Sequence, residues 1–223
     1  MHSYTIPKIQ TCLNKLIDHT FLSPLATAAD IARLCEEAVQ HQFCAVCVPP
    51  YFVGKAVQAL QDSPVRVASV VGFPYGYSET ATKVAEARRS LDEGADELDI
   101  VINIAAVKSG DWNYVRTEIE QMATTVRLKG KICKLILEMG VLSEEEALRL
   151  VGICNNVRPD YVKTSSGTQG GATVDQVRFL RANLDSDIRI KASGGIRTRA
   201  AAAELIEAGA DRLGTSSGPA IVD

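Results

Sequence analysis

Eight times along this chain a short run of β-branched and aliphatic residues gives way to a longer stretch with apolar residues at helical spacing, and that alternation limits the fold more than any other feature. The short runs cover 16–20, 43–48, 65–72, 97–104 and 132–138, then a run holding Lys163, a run holding Lys191, and 211–215. Helical patterns lie between them over 51–61, 78–93 and 198–208, with Ile31, Leu34, Cys35 and Ala38 forming one apolar stripe and Val115, Ile119, Met122 and Val126 another. Thr27 with Asp30, Ser143 with Glu146, and Thr173 with Gln176 have the spacing of capping boxes, so each helix start has a partner for its orphaned N–H groups. The punctuation also repeats. Asp92-Glu93-Gly94-Ala95-Asp96-Glu97-Leu98 and Glu207-Ala208-Gly209-Ala210-Asp211-Arg212-Leu213 both step from helix through glycine into strand. Eight such units in 223 residues, with no linker between them, predict one α/β domain over 1–223, a closed (β/α)8 TIM barrel rather than an open doubly wound sheet. A helical pattern over 6–15 is expected to form a short lid over one barrel end, and with only 218–223 left after the last run the final helix should be short or missing.

Within this pattern the lysines are anomalous. Tyr161-Val162-Lys163-Thr164-Ser165-Ser166-Gly167 puts a lysine in mid-strand on the same side as Tyr161 and Ser165, and Arg189-Ile190-Lys191-Ala192-Ser193-Gly194-Gly195 repeats the design. Lysine is almost never fully buried unless it is paired or chemically used. Reactive groups of such barrels gather at the C-terminal strand ends, which singles out Asp18, Cys47, Asp99, Lys134, Glu138, Lys163 and Lys191 as strand-borne candidates. Parity groups Asp99 with Val101 and Asn103, and Lys134 with Ile136 and Glu138, without saying which face is inward. Ser165-Ser166-Gly167, Ser193-Gly194-Gly195 and Ser216-Ser217-Gly218 follow three consecutive strands and read together as an anion cradle. The exit loop Phe73-Pro74-Tyr75-Gly76-Tyr77 is aromatic and glycine-bearing, the kind of strand exit that often lines a pocket.

Two lysines close together suggest one chemistry. A second ammonium about 4 Å away at an effective dielectric near 20 costs about 4 kcal/mol, enough to bring one lysine close to neutrality. A neutral, desolvated lysine condenses with a carbonyl to a Schiff base, an electron sink for making or breaking carbon–carbon bonds, and an acid such as Asp99 could move the protons. The plainer alternative pairs Lys163 with Asp99 and Lys191 with Glu138 as structural ion pairs. His2 and His41 look peripheral, and His19 reads as a hydrogen-bonded strand residue, so no metal site assembles and no cofactor is expected. Cys44-Ala45-Val46-Cys47 lies in an apolar run, where strand packing fits better than redox chemistry. No segment approaches the roughly 18 apolar residues of a membrane helix, the N-terminus lacks a secretory signal, and a net charge of −3 without a basic block disfavours nucleic acid. A cytoplasmic protein with small-molecule partners is expected.

At these residues the chain resembles the deoxyribose-phosphate aldolase family. The likeness runs from Leu16-Ile17-Asp18-His19-Thr20 through Val46-Cys47-Val48, Val71-Gly72-Phe73-Pro74-Tyr75-Gly76, Glu97-Leu98-Asp99-Ile100-Val101-Ile102-Asn103 and the two lysine motifs to Leu213-Gly214-Thr215-Ser216-Ser217-Gly218. It implies a metal-free class I aldolase that reversibly cleaves 2-deoxy-D-ribose 5-phosphate into acetaldehyde and D-glyceraldehyde 3-phosphate. By the same resemblance Lys163 is the Schiff-base nucleophile, Lys191 the cation that lowers its pKa and Asp99 the proton donor and acceptor. Asp18, Thr20 and Cys47 would surround the sugar, and Gly167, Gly194, Gly195, Ser216 and Ser217 would hold the phosphate. A homodimer or homotetramer is implied. Some members carry a tail ending in a tyrosine that assists proton transfer, whereas this sequence ends at Ile221-Val222-Asp223, a departure that bears on rate more than on reaction. Another Schiff-base barrel for a different phosphosugar, or a non-catalytic phosphosugar-binding barrel, would share many of these features.

Overall fold

Each of the eight runs contains a strand, three to six residues long, in the computed structural model, which describes residues 13–223. The strands are β1 (Ile17–Thr20), β2 (Ala45–Val48), β3 (Arg66–Val71), β4 (Glu97–Val101), β5 (Ile132–Ile136), β6 (Tyr161–Lys163), β7 (Arg189–Ser193) and β8 (Arg212–Thr215). All pair in parallel in sequence order, and β8 pairs back to β1, so the predicted closed barrel is the observed one. Around it run α1 (Ala28–Gln40), α2 (Val53–Ala59), α3 (Thr80–Asp92), α4 (Ile104–Lys108), α5 (Trp112–Arg127), α6 (Glu144–Val157), α7 (Val174–Asn183), α8 (Arg199–Glu207) and the five-residue α9 (Gly218–Val222). Thr27, Ser143 and Thr173 make the three expected capping boxes. Among the described residues no helix is long and apolar enough to cross a membrane.

Three expectations need correction. The run 97–104 stops being a strand at Val101, because the Asn103 side chain accepts the Ala106 N–H at 3.1 Å and starts α4. The run 132–138 ends at Ile136, since Glu138 adopts a left-handed backbone (φ 58°) that no strand contains. The pattern over 51–61 divides into a 3₁₀ turn, Pro50–Phe52, and the shorter α2. The expected helix over 6–15 lies largely outside the described residues; Leu13–Leu16, where that pattern meets the first run, form a 3₁₀ turn.

Strand alternation then divides the side chains. Ile17, Val46, Val48, Leu98, Ile100, Leu135, Val162, Ile190 and Leu213 point outward into the main apolar core under the helices, where each buried aliphatic side chain contributes about 1.5–3 kcal/mol. The other parity points inward. A barrel lumen is ordinarily filled by branched aliphatic residues. Here Cys47, Ala68 and Val70 supply a small apolar cluster on the β2–β3 side, and most of the remaining strands each add at least one charged side chain to the lumen.

Candidate active site

Seven charged side chains meet inside the barrel: Asp18 from β1, Glu97 and Asp99 from β4, Lys134 from β5, Lys163 from β6, Lys191 from β7 and Arg212 from β8. The parallel register sets Lys163 beside Lys191 and Lys134 beside Asp99, so residues far apart in sequence become lateral neighbours on the wall. Asp99 is the hub. Its Oδ2 accepts from Lys163 Nζ at 2.7 Å and from Lys191 Nζ at 2.8 Å, and its Oδ1 accepts from Lys134 Nζ at 2.7 Å. Lys191 also donates to Asp18 Oδ2, so its partners are Asp18 and Asp99 rather than Glu138. Glu138 instead accepts the Ser166 N–H at 3.0 Å and steadies the loop after Lys163. Lys134, whose inward face the sequence left undecided, reaches Glu97 at 2.6 Å and Asp18 at 3.4 Å as well.

The electrostatics separate these lysines. Burial lowers the pKa of Lys163, proximity to Lys191 lowers it further, and its single carboxylate, Asp99, does not make up the difference. Burial also opposes the charge on Lys191, but there Asp18 and Asp99 outweigh it and the pKa rises. Lys134 follows the same logic with Asp99, Glu97 and Asp18 and is raised well above the usual value. Burial alone would raise Asp99, yet the three lysines around it hold its carboxyl well below the ordinary range. The Cys47 thiol is pushed up to about 11, chiefly by burial, and stays protonated near neutrality.

Access separates them too. A cavity of about 280 Å³ opens at the C-terminal end of the strands, with Lys163 on its floor and Thr20, Gly167, Gly194, Gly195 and Ser216 among its walls. Lys191 and Lys134 are wholly covered, whereas Lys163 keeps 3% exposure. Leu22 and Phe73 close the wall above Cys47, Ala68 and Val70; of the aromatic exit loop only Phe73 reaches the cavity, while Tyr75 and Tyr77 are exposed. Asp18 and Cys47 lie behind the wall, Asp18 held by Lys191 and by Arg212. Ser217 stands outside the lining and precedes α9, its N–H donating to Thr215 Oγ1 at 2.9 Å. Sequence reasoning missed Thr168 and Arg197 on the rim. Both lie within two residues of a cradle glycine, which was the available signal. A larger groove of about 590 Å³ between Trp112 and Arg149 lies on the outer surface and contains none of the cluster.

The Ser/Gly loops are welded together. Ser165 Oγ donates to the Ser193 carbonyl at 2.7 Å, and Ser193 Oγ returns a bond to the Ser165 carbonyl at 2.6 Å. At Gly194 (φ 89°) a Cβ would stand 2.9 Å from Gly171 Cα and 3.0 Å from Gly167 Cα, so only glycine lets the loops after β6 and β7 approach this closely. Such converging backbone, with hydroxyls beside it, can receive an anion. His19 is elsewhere, outward on β1, its Nε2 paired with Glu37 Oε2 at 2.7 Å, and among the described residues no cluster of potential metal ligands forms.

The sequence pattern described as DeoC/LacD family aldolase matches residues 12–222. The deoxyribose-phosphate aldolase of Thermococcus gammatolerans is 49% identical over 212 residues, covering 94% of this chain and 94% of that protein. That of Thermosynechococcus vestitus is 50% identical over 200 residues, 90% of this chain and 91% of the relative. Among solved structures, the tetrameric deoxyribose phosphate aldolase from Aeropyrum pernix superposes with a TM-score of 0.88 at 32% identity, over 94% of this chain and 89% of its own.

Proposed function

The chain belongs to the DeoC/LacD family of aldolases, and from that premise we propose that its one barrel domain cleaves 2-deoxy-D-ribose 5-phosphate, reversibly, to acetaldehyde and D-glyceraldehyde 3-phosphate, with Lys163 as the Schiff-base amine. The observation that carries the reading is that Lys163 alone among the buried cations of the lumen borders the cavity. It is also the one whose ammonium is disfavoured.

The open-chain aldehyde carbon accepts the Lys163 Nζ lone pair to give a carbinolamine, and loss of water leaves an iminium. The iminium then withdraws the electrons of the C2–C3 bond as the C3 hydroxyl loses its proton, releasing D-glyceraldehyde 3-phosphate and leaving an enamine. Protonation at C2 and hydrolysis release acetaldehyde and return the amine. Asp99, held as a carboxylate within 2.8 Å of both Lys163 and Lys191, is the group through which these protons move, together with water. Lys191 supplies a standing positive charge that adds to burial in disfavouring the proton on Lys163. Thr20 borders the sugar, with Asp18 and Cys47 shaping the wall from behind. Backbone N–H groups and hydroxyls at Gly167, Gly194, Gly195 and Ser216 take the phosphate, with Arg197 at the rim as a further counter-charge and Ser217 holding the loop from outside the lining. A homo-oligomer is the assembled form; a relative at 32% identity is described as tetrameric. Five unpaired cysteines among the described residues favour a reducing, cytoplasmic setting.

Incubation with 2-deoxyribose 5-phosphate, with each aldehyde product quantified, tests the reading. Equimolar acetaldehyde and glyceraldehyde 3-phosphate from the wild type, and none from Lys163→Ala, is the expected result. Substrate left intact by folded wild-type protein would remove it.

A further inference from the structure

Below the lysines, at the end of the barrel away from the cavity, Arg212 Nη1 stands 3.3 Å from Glu97 Oε2. The two residues occupy matching places in the repeated segments 92–98 and 207–213, so the repeat that punctuates the sequence delivers one acid and one base to the barrel floor. Arg212 Nη1 also donates to Asp18 Oδ1 at 2.5 Å and its Nη2 to Tyr161 Oη at 3.1 Å. The side chain is 4% exposed. A guanidinium does not give up its proton in a protein, so this is a fixed positive charge.

The charges in the lumen are uneven in number. Four buried side chains can carry positive charge, Lys134, Lys163, Lys191 and Arg212, and three fully buried carboxylates pair with them, Asp18, Glu97 and Asp99; Glu138, also fully buried, lies past the end of β5 and pairs with none of the four. An uncompensated charge in such a place is costly, so the cluster reaches neutrality when one lysine releases a proton. Partner number decides which. Lys134 has three carboxylates within 3.4 Å, Lys191 has Asp18 and Asp99, and Lys163 has Asp99 only.

We propose that Arg212 is the positioning residue that assigns the free amine to Lys163, by occupying Asp18 and Glu97 with a charge that cannot be released. The inference rests on the Schiff-base reading above. The remaining groups facing the cluster do not alter the balance. Cys47 on β2 and Tyr161 on β6 are held neutral near pH 7 by burial, as is Cys44 at the lower rim. Arg66 on β3 meets Glu97 Oε1 at 3.0 Å with its side chain 47% exposed, and Arg189 on β7 lies over the Tyr161 ring, both at the wet lower end. Glu138 is engaged by the Ser166 N–H and forms no ion pair with these lysines.

The test is the pH dependence of Lys163 alkylation by acetaldehyde and borohydride, read beside kcat/KM. Arg212→Met removes a cation, so Lys163 holds its proton more firmly. The acid limb then moves up by about one pH unit or more, activity at pH 7 falls about ten-fold for each pH unit the limb has moved, and it returns at higher pH. Arg212→Lys keeps the charge and holds the limb within about half a pH unit of the wild type. Glu97→Gln removes an anion and moves the limb down. This opposite movement also decides the question if circular dichroism shows that Arg212→Met does not fold. An unmoved limb in folded Arg212→Met or in Glu97→Gln, a displacement in Arg212→Lys equal to that in Arg212→Met, or the same direction in the Met and Gln variants would overturn the assignment. Failure to alkylate Lys163 in the wild type would instead overturn the Schiff-base reading, before any variant is compared.

Discussion

Between α3 and α5, Lys83 is buried as completely as Lys191 is inside the barrel, yet its surroundings are closed and balanced. Its Nζ donates to Glu118 Oε1 at 2.8 Å and to the Val101 carbonyl at 2.8 Å, and Glu118 Oε2 accepts the Asn103 N–H at 2.8 Å. One cation meets one anion, and the remaining valences go to backbone at the exit of β4. The lumen cluster has four cations for three carboxylates and a cavity above one of them. A buried lysine is thus no mark of chemistry by itself. The difference lies in charge balance and access: the pair outside fastens β4 where it leaves the barrel, and the excess inside disfavours the proton on one amine, which the cavity reaches.

The largest effect that should sharpen this contrast is at Lys163. Lys163→Met should lower turnover by at least about 1,000-fold, while chemical denaturation finds stability within about 1 kcal/mol of the wild type, because the residue removed is the surplus cation and Asp99 keeps Lys134 and Lys191. A large loss of stability would mean that Lys163 is a structural ion-pair partner after all.

Lys83→Met should behave in the opposite way. It strands the Glu118 carboxylate and costs about 3–5 kcal/mol of stability, with kcat in the surviving folded protein changed far less than in Lys163→Met. The double variant Lys83→Met/Glu118→Leu should regain part of that loss but not all, because the Val101 carbonyl and the Asn103 N–H lose their partners at about 1–3 kcal/mol each. Additive losses in the double-mutant cycle would contradict the pairing. The smallest effect belongs to an exposed pair: Arg89→Ala breaks the contact with Glu93, 2.8 Å long and solvated, and should change stability by under about 0.5 kcal/mol at unchanged activity.

Local signals explain what could be read in advance. The capping boxes at Thr27, Ser143 and Thr173 and the eight alternations depend on near neighbours and on periodicity, so the helix starts and the barrel were legible. The meeting of Lys163, Lys191 and Asp99 followed from placing reactive groups at strand ends. The rest depends on register. Parity paired Asp99 with Val101 and Lys134 with Ile136, but only barrel closure says that these faces point inward. Glu97 and Arg212 were hidden in segments that read as punctuation. Lys83 and Glu118 sit on helices whose apolar stripes give no sign that two charges are enclosed between them. The end of β4 escaped notice because Val101-Ile102-Asn103-Ile104 has strand composition, and the cap that stops it uses one side-chain oxygen.

Borohydride reduction of the wild-type protein in the presence of acetaldehyde, followed by peptide mass mapping, bears most directly on the claim that this cluster leaves one amine free. A single ethyl adduct is predicted, on Lys163, with Lys134, Lys191 and Lys83 unmodified. An adduct on Lys191, or none in folded protein supplied with 2-deoxyribose 5-phosphate as well, would contradict that claim.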